Sequence, residues 1–260
     1  MSINNILYRR TAQLTLVISA LYTSAAHADG LSDLKGALAR LQGQTPLKAV
    51  VDAKTWNRQG DGKELEETQG SASVLVEESQ RGLQVLYSKE MLSKLEAEER
   101  SKEKDQKAKT PTLAALGEVN SSALRPMISA AGHLLRNLEK AIFKGEKVDT
   151  YNGKPARLLS FEVSIDKLTE KERKYMKKFE SNFEVWIAAD GTPLASRAAQ
   201  KVQGRAFIVI SFEAKNEEEW VYGTVGDRLI ALRRESKNVG AGMGERGESK
   251  TIKTLQVQSL

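Results

Sequence analysis

The sequence predicts an α+β fold: a single curved antiparallel β-sheet of about ten strands, with an amphipathic helix packed across its concave face. Two observations predict it. Short stretches in which apolar and polar residues alternate recur along the chain, and glycine-marked turns separate them. Residues 124–143 instead carry apolar side chains at three- and four-residue spacing, the pattern of a helix with one buried face.

The N-terminus is typical of a cleavable export signal. Arg9 and Arg10 precede a short apolar run at residues 14–21, and Ala26-His27-Ala28 places small residues where a signal peptidase requires them. An ordinary N-terminal helix or a retained anchor is the alternative, but the run is shorter than the roughly 20 residues that span a bilayer. We therefore expect cleavage after Ala28 and a periplasmic protein of residues 29–260.

Composition excludes several classes of protein. The 260 residues include no cysteine, which rules out disulfides, thiol catalysis, cysteine-bound zinc and iron–sulfur clusters. The formal net charge of +6 is mild, and the densest charge run alternates in sign, whereas a nucleic-acid site calls for a concentrated basic face. No metal or cofactor is predicted.

The first half of the mature chain is predicted to form a short helix followed by a β-meander. Residues 32–41 have helical apolar spacing, and Gly43 and Pro46 end that helix. Strands follow at residues 47–55, 71–77 and 83–87, joined by short glycine-containing turns. These connections predict antiparallel neighbours.

A charged segment interrupts the meander at residues 89–110. Ser88 is a candidate helix N-cap, and the helix has an apolar face only near Met91, Leu92 and Leu95. The rest alternates acidic and basic residues, so we expect a solvated helical insertion or a loop.

The second half is mainly strands after the amphipathic helix, in which Pro126 lies near the start, where proline is tolerated. Hairpin turns are predicted at Asn152-Gly153, Asp190-Gly191 and Gly226-Asp227. A short charged helix is expected at residues 168–179. The predicted strands are residues 147–151, 156–165, 183–188, 194–202, 206–214, 220–225, 229–234 and 251–257. No linker divides the chain.

The sequence offers little support for a catalytic triad. His133 is the one histidine outside the signal, and G-x-S-x-G does not occur, so a helix-border histidine is favoured over a triad member. The acidic residues 217–219 are expected in a solvated hairpin loop, although a hydrolase using two carboxylates remains an alternative. Residues 240–244 are expected to form a flexible hairpin loop and not a dinucleotide-binding turn, because a strand follows them.

Aromatic residues on the predicted strands are the most informative feature for function. They either fill a core or line an apolar cavity between the sheet and the helix, and such a cavity would suit an acyl chain. The candidate lining residues are Leu124, Ile128, Leu135, Phe161, Trp186, Phe207, Phe212 and Trp220.

Two hairpin segments resemble the half-barrel superfamily of periplasmic lipoprotein carriers, the LolA-like proteins. The first runs from Tyr151 to Leu159 and reads YNGKPARLL, and the second runs from Phe183 to Leu194 and reads FEVWIAADGTPL. The order of elements is also similar. The resemblance implies a half-barrel fold and a lipid or lipoprotein ligand, but the long charged segment departs from it and no cargo-binding arginine can be matched.

These observations favour a non-catalytic periplasmic binding protein that holds a lipid, an acyl chain or a lipoprotein in an apolar cavity. The alternative is a cell-envelope interaction or regulatory module with a solid core. A pocket of about 300 Å³ or more would separate the two hypotheses. Neither nucleic acid nor a membrane-spanning segment is expected.

Overall fold

The computed structural model describes residues 29–61, 65–165, 170–206, 210–242 and 245–258. It confirms the predicted fold class: one open antiparallel sheet of ten strands, accompanied by short helices. The predicted export signal, residues 1–28, lies outside the described residues. Within the described ranges, no helix has the length and apolar character needed to cross a membrane.

The sheet is a meander whose two halves are joined through its first and last strands. Its spatial order is β3-β2-β1-β10-β9-β8-β7-β6-β5-β4, with every neighbouring pair antiparallel. The strands are β1 Leu47–Gln59, β2 Glu66–Ser79, β3 Gly82–Leu86, β4 Ile142–Tyr151, β5 Lys154–Glu162, β6 Met176–Ile187, β7 Pro193–Ala206, β8 Ile210–Val225, β9 Arg228–Gly242 and β10 Glu245–Val257.

Six helices accompany this sheet among the described residues: α1 Gly30–Arg40, α2 Lys89–Lys104, α3 Pro111–Leu116, α4 Ser121–Ile128, α5 Ala130–Glu139 and α6 Glu170–Arg173. The expected N-caps of α2 and α4 are present. The Ser88 hydroxyl accepts a hydrogen bond from the Met91 amide, and the side-chain oxygen of Asn120 accepts one from the Ala123 amide. Of the six helices, α1, α3, α4 and α5 pack on the sheet.

Local turn chemistry explains why consecutive strands pair. Asn152 and Gly153 both have positive φ, 50° and 75°, and they connect β4 to β5 as a two-residue turn. This conformation matches the right-handed twist of the flanking strands. The predicted Asn152-Gly153 hairpin is therefore confirmed.

The core lies on one face of the sheet, beneath the helices. Along β1 the even alternation of side chains buries Leu47, Ala49, Val51 and Ala53 while the intervening residues stay at the surface. Directly paired residues of antiparallel strands share a face, so the strand register extends this buried face across the sheet. We call it the concave face.

Two helix predictions were wrong in detail. Residues 124–143 do not form one helix: α4 ends at Ile128, α5 begins at Ala130, and residues from Ile142 onward belong to β4. Pro126 lies inside α4, where it lacks the N–H that would bond to the carbonyl of residue 122, and α4 ends two residues later. The helix expected at residues 168–179 shrinks to α6, because Phe179 pairs with Val202 as part of β6; residues 166–169 are outside the described ranges.

The acidic residues 217–219 do not lie in a hairpin loop. They are in the middle of β8, which contains residues 210–214 of the strand predicted at 206–214 together with the strand predicted at 220–225; residue 206 ends β7. Pairing with β7 on one side and β9 on the other holds them in the sheet. Likewise, residues 240–242 belong to β9 instead of a flexible loop, while residues 243–244 lie outside the described ranges.

The charged segment forms a helix that supports the next one. α2 is exposed along most of its length and buries Met91. The Glu98 carboxylate accepts hydrogen bonds of 2.9 to 3.0 Å from the amides of Thr112 and Leu113, the first turn of α3. An acidic group at a helix N-terminus satisfies free N–H groups and the helix dipole, so this part of α2 has a structural role.

Candidate binding surface on the concave face

The helices divide the concave face into two halves. α3 contacts β1 and β2, and both α4 and α5 contact β9. They cover the end of the face that carries Val51, Val74 and Leu255. At the other end the strands extend beyond the helices, and most of their concave-face residues are exposed or half-buried, with Val202 and Gly204 as buried exceptions. We call these the covered half and the open half.

The covered half is closely packed. Leu124, Met127 and Ile128 of α4 are fully buried, as are Ala130 and Leu134 of α5. They share one hydrophobic cluster with residues from β1, β2, β5, β6, β8, β9 and β10. Burial of this much apolar surface is the main force that holds the helices to the sheet.

A buried lysine joins the helical layer to the sheet. The Lys253 side chain has 0 % exposure, and its Nζ lies 2.7 Å from Glu118 Oε2. It also donates to the carbonyl oxygens of Glu118 at 3.2 Å, in the connection between α3 and α4, and of Ala123 at 3.3 Å, in the first turn of α4. Burial lowers the pKa of Lys253, and the Glu118 carboxylate opposes that shift. Because all of its contacts are to residues 118–123, Lys253 anchors this connection to β10.

Arg228 forms a second polar anchor between sheet and helix. Its Nε donates to the carbonyl oxygen of Thr45 at 3.0 Å, and its Nη1 donates to the carbonyl oxygen of Ile128 at 3.4 Å, at the end of α4. Both anchors thus bind main-chain carbonyl groups, and that of Ile128, at the C-terminus of α4, lacks a partner within the helix.

An aromatic and charged cluster lies beside these anchors. The His133 ring of α5 is centred 5.0 Å from the ring of Trp220, and the Arg234 guanidinium lies 5.1 Å from the same indole on β8. Arg234 also pairs with Glu218 at 2.5 Å. Burial lowers the pKa of His133, with Arg136 and Arg234 acting in the same direction and Glu218 against it. The cluster marks the border between the covered and open halves.

Neighbouring Tyr222 and Ser196 share a buried hydrogen bond of 2.7 Å between their hydroxyl oxygens. Burial raises the pKa of Tyr222, so this phenol stays neutral. His133 does not reach this pair through a recorded hydrogen bond; its Nε2 lies 3.3 Å from the Asn137 amide nitrogen. Among the described residues, no group of three or more His, Asp or Glu side chains is placed to hold a metal ion.

The predicted cavity residues fall into separate environments. Leu124, Ile128, Phe161 and Trp220 lie in the common core, with Phe161 at 2 % and Trp220 at 4 % exposure, and Leu135 packs against its margin. Trp186 instead faces away from its buried neighbours Val185 and Ile187, and its Nε1 donates to Asp149 at 3.1 Å.

The last two predicted cavity residues are Phe212 and Phe207. Phe212 lies beyond the helices, at the far end of β8, and borders an open groove of about 610 Å³. Phe207 is outside the described residues.

The sequence analysis missed the anchors and the polar residues of the open half. The signal for Lys253 was available: it occupies an inward position of the alternating strand at residues 251–257, between Thr251 and Leu255. A lysine at such a position must find partners or lose its charge. Nothing local indicates which partners, because Glu118 is distant in the chain.

Comparisons with known proteins provide little further information. No protein-family model matches the chain, and no curated protein matches it in sequence. Among solved structures, the LolA superfamily protein NE2245 from Nitrosomonas europaea is similar, with 8 % identity over 90 % of this chain and 95 % of that chain and a TM-score of 0.27. That structure belongs to the superfamily that the two hairpin segments resemble. A TM-score this low carries no argument about fold or function.

Proposed function

We propose that this chain is a non-catalytic periplasmic binding protein that holds a lipid, an acyl chain or the lipid portion of a lipoprotein between the helical layer and the concave face. One observation carries the proposal. The apolar half of an open sheet is covered by short helices, where a sandwich would place a second sheet. Separation of this layer would expose two facing apolar surfaces.

The contacts between the layers suit a cover that can separate. α3, α4 and α5 contain 6, 8 and 10 residues, too few to be stable in isolation, so they depend on packing against the sheet. Apart from apolar packing, polar contacts at Lys253 and Arg228 hold the layer at its ends. These bonds are compatible with a hinged movement because they lie at helix ends.

An inserted chain would replace the contacts that are lost on opening. Each methylene group that leaves water contributes about 0.8 kcal/mol. The surfaces available to it are lined by Leu124 and Ile128 on one side and by Phe161 and Trp220 on the other. An apolar chain is therefore the ligand class that this interface favours.

The second candidate is an envelope interaction module with a filled core. It is favoured by the full burial of Leu124 and Ile128 and by the position of the grooves bordered by Phe212, Asn216 and Asn238 outside the covered half. In that case a partner would bind at the surface and the helices would not move.

The two hypotheses are distinguished by tryptophan fluorescence. Trp220 lies beneath the helices, whereas Trp56 and Trp186 occupy the opposite face of the sheet. The Trp56→Phe/Trp186→Phe variant keeps Trp220 alone, and the Trp56→Phe/Trp220→Phe variant keeps Trp186 alone. A brominated fatty acid quenches an indole only at close range.

We expect the brominated fatty acid to quench Trp220 emission saturably and to leave Trp186 emission unchanged. Native mass spectra before and after organic extraction then identify any co-purified lipid. Equal quenching of both variants, or no quenching with a clean apo mass, would exclude the lipid site and favour the interaction module.

A further inference from the structure

A line of uncharged polar side chains crosses the open half of the concave face. Strand register places one residue from each of six adjacent strands side by side, each directly paired with the next. We call these residues the polar row: Gln200, Asn216, Asn238, Ser249, Asn57 and Thr68. Neighbouring members are separated by the spacing between strands, about 4.8 Å.

The opposite face of the same strands has a different chemistry. Its exposed positions carry ion pairs, including Lys201–Glu213, Lys215–Glu217 and Lys237–Glu248, with nitrogen–oxygen distances of 2.6 to 3.2 Å. Contact with water alone would permit the same charged residues on both faces. Asparagine is depleted in strands, so three asparagines in adjacent or near-adjacent strands of one face need another reason.

The polar row leaves most of its hydrogen-bonding capacity available. Each asparagine or glutamine amide offers two donors and one acceptor oxygen. Within the row the structure records one hydrogen bond, from the Asn238 amide to the Ser249 hydroxyl at 3.2 Å. Asn57, Asn216 and Asn238 are all exposed. The row can therefore bind a ligand that both donates and accepts hydrogen bonds.

Small residues form a floor beside the row. Ala214, Gly240 and Gly247 pair directly with one another on the concave face and line an open groove of about 530 Å³ together with Asn57, Asn216 and Asn238. A methyl group added at Gly240 or Gly247 would meet no heavy atom closer than 3.9 Å. Packing within the protein thus does not require glycine here, and a glycine in a strand is typical of a place where a ligand approaches the backbone.

Aromatic residues complete this surface. Phe179 and Phe212 lie on the same face, paired in register with Val202 and Gly204. The Phe212 ring lies against Gly204, where a side chain would collide with it, and both phenylalanines are half-buried. An aromatic ring at the edge of a polar groove provides an apolar surface for the C–H groups of a ligand.

We propose that the polar row and its glycine floor bind a neutral, polyhydroxylated polymer, that is, a glycan chain lying across the strands. Hydroxyl groups match the mixed donors and acceptors of the row, and the spacing of its members is similar to the length of one sugar ring. The row has no formal charge, and the charged residues that line the groove, Arg58, Glu245, Arg246 and Glu248, are two cations and two anions, so the surface favours a neutral polymer over a charged one. An extended peptide is recognised at the edge of a sheet, through its backbone, instead of on a face.

This site is independent of the proposed apolar site. The two occupy different halves of the concave face and share none of the residues named for them. The experiment therefore requires no lipid, and its result leaves the lipid hypothesis untouched.

The test uses chitotetraose, cellotetraose and maltotetraose as neutral probes, titrated into the isotope-labelled protein and followed by amide chemical shifts. We expect at least one of them to shift the resonances of Asn216, Asn238 and Ser249. The Asn216→Lys/Asn238→Lys variant should weaken that binding at least tenfold. Gly240→Ala, which adds one methyl group to the floor without internal contact, should also weaken it.

The matched control is Lys215→Asn/Lys237→Asn, which changes neighbouring positions of the same two strands on the opposite face and should bind as the wild type does. Unfolding temperatures verify that each variant is folded. The proposal is overturned if none of the three probes shifts those resonances, or if the control variant weakens binding as much as the concave-face variants do.

Discussion

Single side chains on the concave face combine burial with charge. Lys253 and Arg228 extend from the sheet to carbonyl oxygens of the helical layer, and Lys253 also pairs with the Glu118 carboxylate. Arg234 pairs with the Glu218 carboxylate on the neighbouring strand. A buried charge is tolerated when it is paired and hydrogen-bonded. The interface between the helices and the sheet therefore has an apolar interior, with paired charged side chains at its margin.

His133 should make this interface sensitive to acid. Its pKa is lowered from 6.5 in the folded protein, mainly by burial, so as pH falls below about 6.5 the unfolded chain takes up a proton before the native chain does. Stability is therefore lost as pH falls from the unfolded value toward the lower folded one. Urea denaturation between about pH 7.5 and 5 should show a smaller loss for His133→Gln than for the wild type.

The charged groups around His133 are common to both proteins. Glu218, Arg136 and Arg234 face the ring and remain in the variant. Parallel stability curves for the two proteins would contradict the assignment.

Short elements in this fold depend on close approach of backbones. α3 rests on β2 at Gly70, where an added Cβ would lie 2.5 Å from Thr55 Oγ1, 2.7 Å from the Pro111 carbonyl oxygen and 3.0 Å from Ala114 Cβ. Glu98 from α2 satisfies the first amides of α3. The charged helix and the glycine together place α3 on the sheet.

Gly70→Val should therefore destabilise the protein by about 1–3 kcal/mol, the usual cost of overpacking a close contact. The control is Gly247→Ala, another strand glycine of the concave face, whose added methyl group would meet nothing closer than 3.9 Å and should change stability by less than about 1 kcal/mol. Both values come from chemical denaturation. Equal losses in the two variants would show that the contact with α3 is unimportant.

At the scale of the whole molecule, the first described residues, Asp29 and Gly30, are already fixed to the rest of the fold. The Asp29 side chain accepts from the Leu31 amide as the N-cap of α1, and the buried Gly30 amide donates to Glu146 on β4 at 3.0 Å. Cleavage after Ala28 would leave both of these contacts intact. We therefore expect the exported protein to begin at Asp29.

The intact mass of protein recovered from the periplasm measures this directly. Cleavage requires small residues at both positions of the recognition site. Ala26→Arg/Ala28→Arg should therefore leave the precursor uncut, whereas Asp33→Asn, within α1, should be processed normally. A periplasmic protein that retains residues 1–28, or one that never leaves the cytoplasm, would contradict the prediction.

Much of the fold was predictable because its signals are local. Alternation along β1, the Asn152-Gly153 turn and the caps Ser88 and Asn120 depend on residues adjacent in sequence. Errors arose where pairing between strands overrides local composition. The glutamates at 217–219 resemble a loop in isolation, but their register with β7 and β9 holds them in a strand, with cations opposite them.

By itself, the sequence determined an α+β chain with an antiparallel meander, amphipathic helices and no cysteine chemistry, and it predicted export. Only the tertiary structure decided which side chains share a surface. It separated Trp186 from Trp220 by placing them on opposite faces, buried Lys253 against Glu118, and aligned Asn57 with Asn216 and Asn238 in one row. The physical reason is that sheet register joins residues distant in the chain, and no periodicity within a single strand records it.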